Sequence, residues 1–276
     1  MTAPILVTGG TGTLGRHVVR RLREECREVR IFTRNARPAE QGIEYVAGDL
    51  EAGDGIDAAL DSVETVVHLA GSAKGDDVKA RNLVLAAAAR STAPHIVYIS
   101  VVGADRIPLE SPLGRMMFGY FGSKLEAERI IAGSGLPCSI LRATQFHDLI
   151  FKVTEGMAKL PVIPVPSFRF QPIDPDEVAA RLVELALGKP AGRVADMGGP
   201  SVYTLKDLVR GYLRATGRRR LIVPERMPGK AARVFADGAN LAPSRAVGRR
   251  TWEAFLAEKT GAPAGKAVRP SRVRAA

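Results

Sequence analysis

Short apolar runs rich in β-branched residues alternate along the chain with segments in which apolar residues recur at helical spacing. The apolar runs predict six strands, at Pro4–Thr8, Val29–Thr33, Glu44–Ala47, Thr65–Leu69, His95–Ser100 and Ser139–Arg142. Between them, the spacing predicts helices over roughly 13–25, 76–91 and 121–133. Strands that alternate with helices are typical of a parallel sheet with helices on both faces. The pattern therefore predicts an α/β protein with a doubly wound parallel sheet.

The pattern changes after Arg142. Residues 160–172 contain four prolines and predict an extended loop, whereas residues 174–177 and 204–217 predict a helix start and an amphipathic helix. We therefore expect a main core over 1–142 and a small C-terminal mixed α/β region over 143–260, interleaved with the core. The remaining residues, 261–276, are basic and poor in core residues, which predicts a disordered tail.

A glycine-rich segment joins the first strand to the first helix. After Thr8 it consists of Gly9, Gly10, Thr11, Gly12, Thr13, Leu14 and Gly15. Glycines at this spacing let the chain turn sharply, let a pyrophosphate approach the backbone and let the helix pack against the sheet. The helix N-terminus then faces the phosphate charge. The segment predicts a Rossmann core with a nicotinamide-dinucleotide site.

The end of the second strand distinguishes the two nicotinamide cofactors. NAD sites place an acidic residue there to bind the ribose 2′-hydroxyl, but this chain continues with Arg34 and has no acid before Glu40. Arg34 can face a 2′-phosphate, and Arg16 could flank the same group. We therefore expect NADP (NADPH) in preference to NAD.

Several motifs together resemble the short-chain dehydrogenase/reductase superfamily. They are TGGTGTLG at 8–15, GDL at 48–50, HLAG at 68–71, YFGSK at 120–124 and SGLPCSILRATQFHD at 134–148. The last is similar to the atypical branch, the NmrA-like and NAD(P)H-binding reductases. The resemblance implies that further side chains and backbone groups line the cofactor site, namely Asp49, Leu50, Leu69, Ala70, Gly71 and Lys124.

The same resemblance implies a catalytic group formed by Tyr120, Lys124 and Ser100. Tyr120 and Lys124 are four residues apart, so on a helix they project from one face. An ammonium near a phenol lowers the phenol pKa, which suits Tyr120 to acid–base work. Ser100 ends the fifth predicted strand, where the family's hydroxyl polarises a substrate carbonyl. The active-site asparagine of better-known members has no counterpart here.

These features predict an NADP-dependent oxidoreductase that transfers hydride between nicotinamide and a small carbonyl or quinone-like substrate. Two alternatives stay open: a non-catalytic redox-sensing regulator that binds NAD(P), and an NAD(P)-dependent epimerase or dehydratase. The fold alone does not choose among them.

Composition limits the other possibilities. The net charge of +11 comes partly from a tail with five basic and no acidic residues over 259–276, but basic clusters without interleaved aromatics disfavour nucleic-acid binding. Two cysteines are too few for a disulfide framework. The histidines lack metal-ligand spacing.

With no signal peptide or membrane-length apolar run expected, we predict a cytoplasmic protein without membrane contact. A homodimer is compatible with the sequence.

Overall fold

The structure is a computed structural model that describes residues 3–71 and 75–261, without the side chains of Leu113 and Met117. Its strands are β1 (Ile5–Thr8), β2 (Val29–Thr33), β3 (Ile43–Ala47), β4 (Thr65–His68), β5 (His95–Val101), β6 (Cys138–Ala143), β7 (Val162–Pro166), β8 (Arg169–Phe170), β9 (Gly192–Arg193), β10 (Tyr203–Thr204) and β11 (Leu221–Glu225). Its helices are α1 (Thr13–Glu24), α2 (Ile56–Ala59), α3 (Asp76–Ala88), α4 (Pro112–Gly133), α5 (His147–Met157), α6 (Pro175–Leu187), α7 (Leu205–Ala215), α8 (Lys230–Ala236) and α9 (Trp252–Thr260).

The chain divides into two compact units. The first spans residues 1–100, 119–142 and 175–195, and the second spans 101–118, 143–174 and 196–276. The first unit is built on a seven-stranded parallel sheet in the order β3-β2-β1-β4-β5-β6-β9. The order reverses between β1 and β4, which is the switch point at which doubly wound sheets bind dinucleotides. The predicted fold class is confirmed.

Alternate residues of each strand point to opposite faces of the sheet, so each face has side chains for helices to cover. On one face, apolar side chains of α2, α3 and α4 join those of the sheet in a buried cluster that includes Ala59, Leu83 and Ile131. Helices α1 and α6 pack against each other, and α6 also contacts β4. A bidentate ion pair between Arg142 of β6 and Glu128 of α4, with N–O distances of 2.8 and 2.7 Å, is buried in the same unit.

The second unit is a mixed α/β structure. Its core contains buried side chains of α5, α7 and α9, among them Ile150, Leu208 and Trp252. Two small sheets complete it, with β7 and β11 parallel and β8 and β10 antiparallel. The hydroxyl of Thr204 accepts a hydrogen bond from the Asp207 amide, so this residue caps α7 as its position predicts.

Two predicted boundaries are wrong. Strands β7 and β8 lie inside the predicted extended loop over 160–172, and the prolines of β7 are tolerated because this strand pairs only with β11. Helix α4 begins at Pro112, nine residues before the predicted helix over 121–133. Its start is favoured by proline in the first helical position and by Ser111, whose hydroxyl accepts a hydrogen bond from the Gly114 amide.

His147 is a buried member of the core of the second unit. Its ring stacks against those of Trp252 and Phe255, at centroid distances of 6.1 and 5.1 Å. Neither ring nitrogen has a hydrogen-bond partner among the described residues. Burial is the largest cause that lowers the pKa of His147, from 6.5 to about 4.

We expect His147→Phe to make the protein less sensitive to acid. Since the folded-state pKa lies below the unfolded one, the unfolded chain takes up the proton first as the pH falls from 6.5 to about 4. Over that range the free energy of unfolding should fall by roughly 3 kcal/mol through this residue. Phenylalanine keeps the stacking but cannot be protonated. Urea unfolding of both proteins across the range measures the difference, and parallel curves would contradict this role of His147.

Candidate functional site

The glycine-rich loop follows β1 and leads into α1, as predicted. Gly9 has a φ of +71°, and a Cβ there would lie 2.8 Å from the Ala70 amide nitrogen. A Cβ on Gly15 would overlap the carbonyl oxygen of Gly9. These close approaches leave no room for side chains, so the turn brings bare backbone to the end of the sheet.

The N-terminus of α1 has the properties of an anion site. Gly12 is the residue before the helix and offers no side-chain cap, and the first turn contains no acidic residue. The first amides of a helix lack intrahelical partners and carry partial positive charge. Of the other loop residues that we predicted to bind cofactor, Thr13 is half-buried, whereas Leu14 is buried and packs α1 against the sheet.

A cleft of about 380 Å³ adjoins this loop. Some of the residues that line it are ones that we predicted to bind the cofactor, and others are not. The lining consists of Gly9, Thr11, Gly12, Phe32, Thr33, Arg34, Asn35, Arg37, Gly48, Asp49, Leu50, Glu51, Leu69, Ala70, Gly71 and Lys79. Gly10 and Arg16 instead line a neighbouring depression of about 430 Å³, which shares Thr11 and Arg37 with the cleft. The cleft gathers loops from the ends of β1 to β4, as a dinucleotide site of this fold requires.

Two arginines stand at the β2 end of the cleft. Arg34 and Arg37 are both exposed, and the guanidinium of Arg37 lies 5.9 Å from the ring centroid of Tyr45. Sequence reasoning proposed Arg34 and missed Arg37, although both follow the same strand. Lys79 was also missed: it lines the cleft from α3, and its Nζ lies 3.1 Å from the Glu51 carboxylate.

Tyr120 and Lys124 project from one face of α4, as the spacing predicts. Tyr120 is 38% exposed, whereas Lys124 is buried. The Lys124 Nζ lies 5.8 Å from the Tyr120 ring centroid and 4.8 Å from that of buried Tyr98. It donates a hydrogen bond to the Ile99 carbonyl, at 3.1 Å, and pairs with the Asp76 carboxylate at 3.0 Å.

These charges set the protonation states of the pair. Partial burial raises the pKa of Tyr120, Lys124 lowers it, and Asp76 raises it, so that the pKa lies above the ordinary value of 10.0. Lys124 thus acts on the phenol in the expected direction but is outweighed. Burial lowers the pKa of Lys124, but the two tyrosines and Asp76 raise it by more. At neutral pH the phenol holds its proton and the ammonium holds its charge.

Ser100 follows Ile99 at the end of β5, next to the carbonyl that Lys124 binds. Its side chain is 4% exposed, and its hydroxyl has no hydrogen-bond partner within residues 3–71 and 75–261. A buried hydroxyl without a partner is costly unless a ligand completes it. Ser100 therefore has the chemistry to bind the oxygen of a bound molecule.

Thr8, at the end of β1, holds the segment that follows β4. Its hydroxyl oxygen accepts hydrogen bonds from the Leu69 and Ala70 amides, at 3.2 and 3.3 Å. With its lone pairs used, the hydroxyl donates its proton to the Nδ1 of buried His68, 2.8 Å away. Burial lowers the pKa of His68 to about 3, so this ring is neutral. The network holds the backbone of two cleft residues in place.

Among the described side chains, no three His, Cys, Asp or Glu are grouped so that they could hold a metal ion. No described helix has the length and apolar character needed to cross a membrane.

Residues 9–186 match the NAD(P)H-binding family. The chain belongs to this family. Its relatives fall in the atypical short-chain dehydrogenase/reductase group of NAD(P)H-dependent oxidoreductases, so the resemblance seen in the sequence is confirmed.

Individual relatives are distant. The chain is 26% identical to a ceramide reductase of Caulobacter vibrioides, over 82% of this chain and 74% of that protein. It is 28% identical to a (4-alkanoyl-5-oxo-2,5-dihydrofuran-3-yl)methyl phosphate reductase of Streptomyces griseus, over 78% and 74%. Its fold matches an NADPH-dependent quinone oxidoreductase of Escherichia coli solved with NADPH. In that match the TM-score is 0.70 at 21% identity, covering 95% of this chain and 96% of the other.

Proposed function

We propose that this protein is an NADPH-dependent reductase of small carbonyl or quinone-like compounds. One observation carries the proposal: Lys124, which shares a face of α4 with Tyr120, adjoins the wall of the cleft. A Cβ on Gly71, which lines the cleft, would lie 3.2 Å from the Lys124 Nζ. This proximity supports the assignment of Tyr120 as acid and Lys124 as charged donor near the nicotinamide end of a bound dinucleotide.

Tyr120, Ser100 and Lys124 each have a separate role in this reaction. When bound, NADPH would supply the hydride that adds to the substrate carbon, while the carbonyl electron pair would move to the oxygen. Tyr120 gives its proton to that oxygen, since its phenol is protonated at neutral pH and partly exposed. Ser100 donates a hydrogen bond to the same oxygen, and Lys124 binds the nicotinamide ribose. With one hydride from the bound cofactor and one proton from Tyr120, a carbonyl compound would become the alcohol and a quinone the hydroquinone.

The preference for NADPH rests on Arg34 and Arg37. Both are exposed cations in the lining of the cleft, and no acidic residue follows β2 directly to bind a ribose 2′-hydroxyl. Arginine matches a phosphate with paired N–H donors. The names of the two curated relatives, both reductases, support the direction of the reaction.

Turnover of NADPH by the purified protein tests the proposal. We expect the absorbance of reduced nicotinamide to fall only when an aldehyde, ketone or quinone is added. With NADPH deuterated at the transferred hydrogen, deuterium should appear on the carbon of the product alcohol. Tight NADPH binding without oxidation by any member of a broad panel would instead favour the redox-sensing regulator.

A further inference from the structure

Asp76 is a buried carboxylate to which the sequence assigned no role. It is the first residue of α3 and is only 1% exposed. Ser123, the neighbour of Lys124 on α4, accepts a hydrogen bond from the Asp76 amide at 3.1 Å and donates one to the Asp77 carboxylate at 3.2 Å. The first turn of α3 is therefore tied to the part of α4 that carries Lys124.

The carboxylate reaches Lys124 at the cleft wall. Its Oδ2 lies 3.0 Å from the Lys124 Nζ, and a Cβ on Gly71 would lie 3.4 Å from the same oxygen. Lysine has three N–H donors, of which Asp76 and the Ile99 carbonyl take two. The third lies near the Tyr98 hydroxyl and can turn to a molecule in the cleft.

We propose that Asp76 is a positioning residue, which fixes the Lys124 ammonium between two acceptors so that its remaining N–H points to the cofactor ribose. This inference rests on the proposed function for its catalytic part. A buried ammonium without a carboxylate would be costly, and its long side chain would be free to adopt other rotamers. Asp76 neutralises the buried charge and restricts the rotamers of Lys124, in a site that must accept cofactor repeatedly.

The same carboxylate keeps Tyr120 protonated. The groups that face Lys124 are Tyr98 from β5, Tyr120 from its own helix and Asp76 from α3. Lys79, also on α3, lies 3.9 Å from the other oxygen of Asp76 and acts together with Lys124 on His68 of β4. Among the charges that act on Tyr120, Lys124 lowers its pKa and Asp76 raises it. The ion pair thus leaves the phenol in the acid form that reduction requires.

The variant Asp76→Asn tests the proposal, with Asp57→Asn as its control, because Asp57 is an exposed acid in the first turn of another helix, α2, and does not line the cleft. We expect Asp76→Asn to weaken NADPH binding and to lower kcat by a factor on the order of 10–100, as for other residues that orient a functional group. The alkaline limb of the kcat–pH profile should move to lower pH, because Lys124 then acts on Tyr120 without opposition. Asp57→Asn should leave all three quantities near wild type.

A thermal unfolding cycle separates this role from the reaction itself. Asp76→Asn and Lys124→Met should each lower the Tm by on the order of ten degrees, and the double variant by less than the sum. Because the cycle and the dissociation constant of NADPH need no substrate, they test Asp76 even if no carbonyl is reduced. Unchanged NADPH affinity and pH profile in Asp76→Asn, or strictly additive Tm losses, would overturn the proposal.

Discussion

Replacing Tyr120 by phenylalanine should lower kcat by a factor of about 10²–10⁴, the usual contribution of a positioned acid. The substitution removes the phenolic hydroxyl and keeps the ring that packs 5.8 Å from Phe121. NADPH binding should be unchanged, because the glycine-rich loop, the arginines and Lys124 do not depend on that hydroxyl. Stopped-flow measurement of NADPH oxidation, with a separate titration of NADPH fluorescence, distinguishes the two quantities.

Tyr98→Phe is the matched control. Tyr98 lies closer to the Lys124 Nζ than Tyr120 does, but only 1% of it is exposed, against 38% of Tyr120. Burial raises its pKa well above the ordinary value, which makes it a poorer acid. We expect this variant to keep most of its activity. Full activity in Tyr120→Phe, or a larger loss in Tyr98→Phe, would mean that the acid has been assigned to the wrong residue.

The phosphate loop could be predicted from the sequence because all its determinants are local. The glycines, the strand before them and the helix after them all lie within residues 5–24. At Gly9 and Gly15 the backbone of neighbouring residues comes so close that a side chain would not fit. The positions of Tyr120 and Lys124 were predictable for the same reason, since four residues on a helix fix a common face. Their roles, in contrast, depend on neighbours that spacing does not reveal.

Asp76 shows what local reasoning misses. In the sequence it is an acidic residue in the first turn of a helix, which the helix dipole alone explains. Its pairing with Lys124 joins residues that are far apart in the chain, and it changes the prediction for Tyr120. A lysine beside a phenol predicts a lowered pKa, but the carboxylate and partial burial reverse the result.

The second unit was harder to predict because its strands pair over long distances. Val162 pairs with Leu221, and prolines interrupt the strand that contains Val162. The alternation of apolar residues is short in both segments, so the prolines favoured a loop. Helix α5 was missed as well, since its buried face includes His147 and Thr154, which a search for apolar periodicity does not count.

Arg34→Ala should weaken NADPH binding by roughly ten- to a hundredfold and leave NADH binding nearly unchanged. A hydrogen bond to a charged group contributes about 1.5–3 kcal/mol, and about 1.4 kcal/mol corresponds to tenfold in affinity. NADH has no phosphate at the ribose 2′ position, so it loses nothing. Because Arg37 lines the same cleft, we expect part of the preference to survive in the single variant and to disappear in Arg34→Ala/Arg37→Ala.

Arg23→Ala is the control for this loss of positive charge, because Arg23 lines the neighbouring depression and not the cleft. It should leave the ratio of NADPH to NADH affinity as in the wild type, although it changes the net charge by the same amount. Titration of both cofactors at two salt concentrations separates a specific contact from general attraction, which salt screens. Equal affinities of the unmodified protein for NADPH and NADH would show that neither arginine selects the phosphate, and NAD would then be the better assignment.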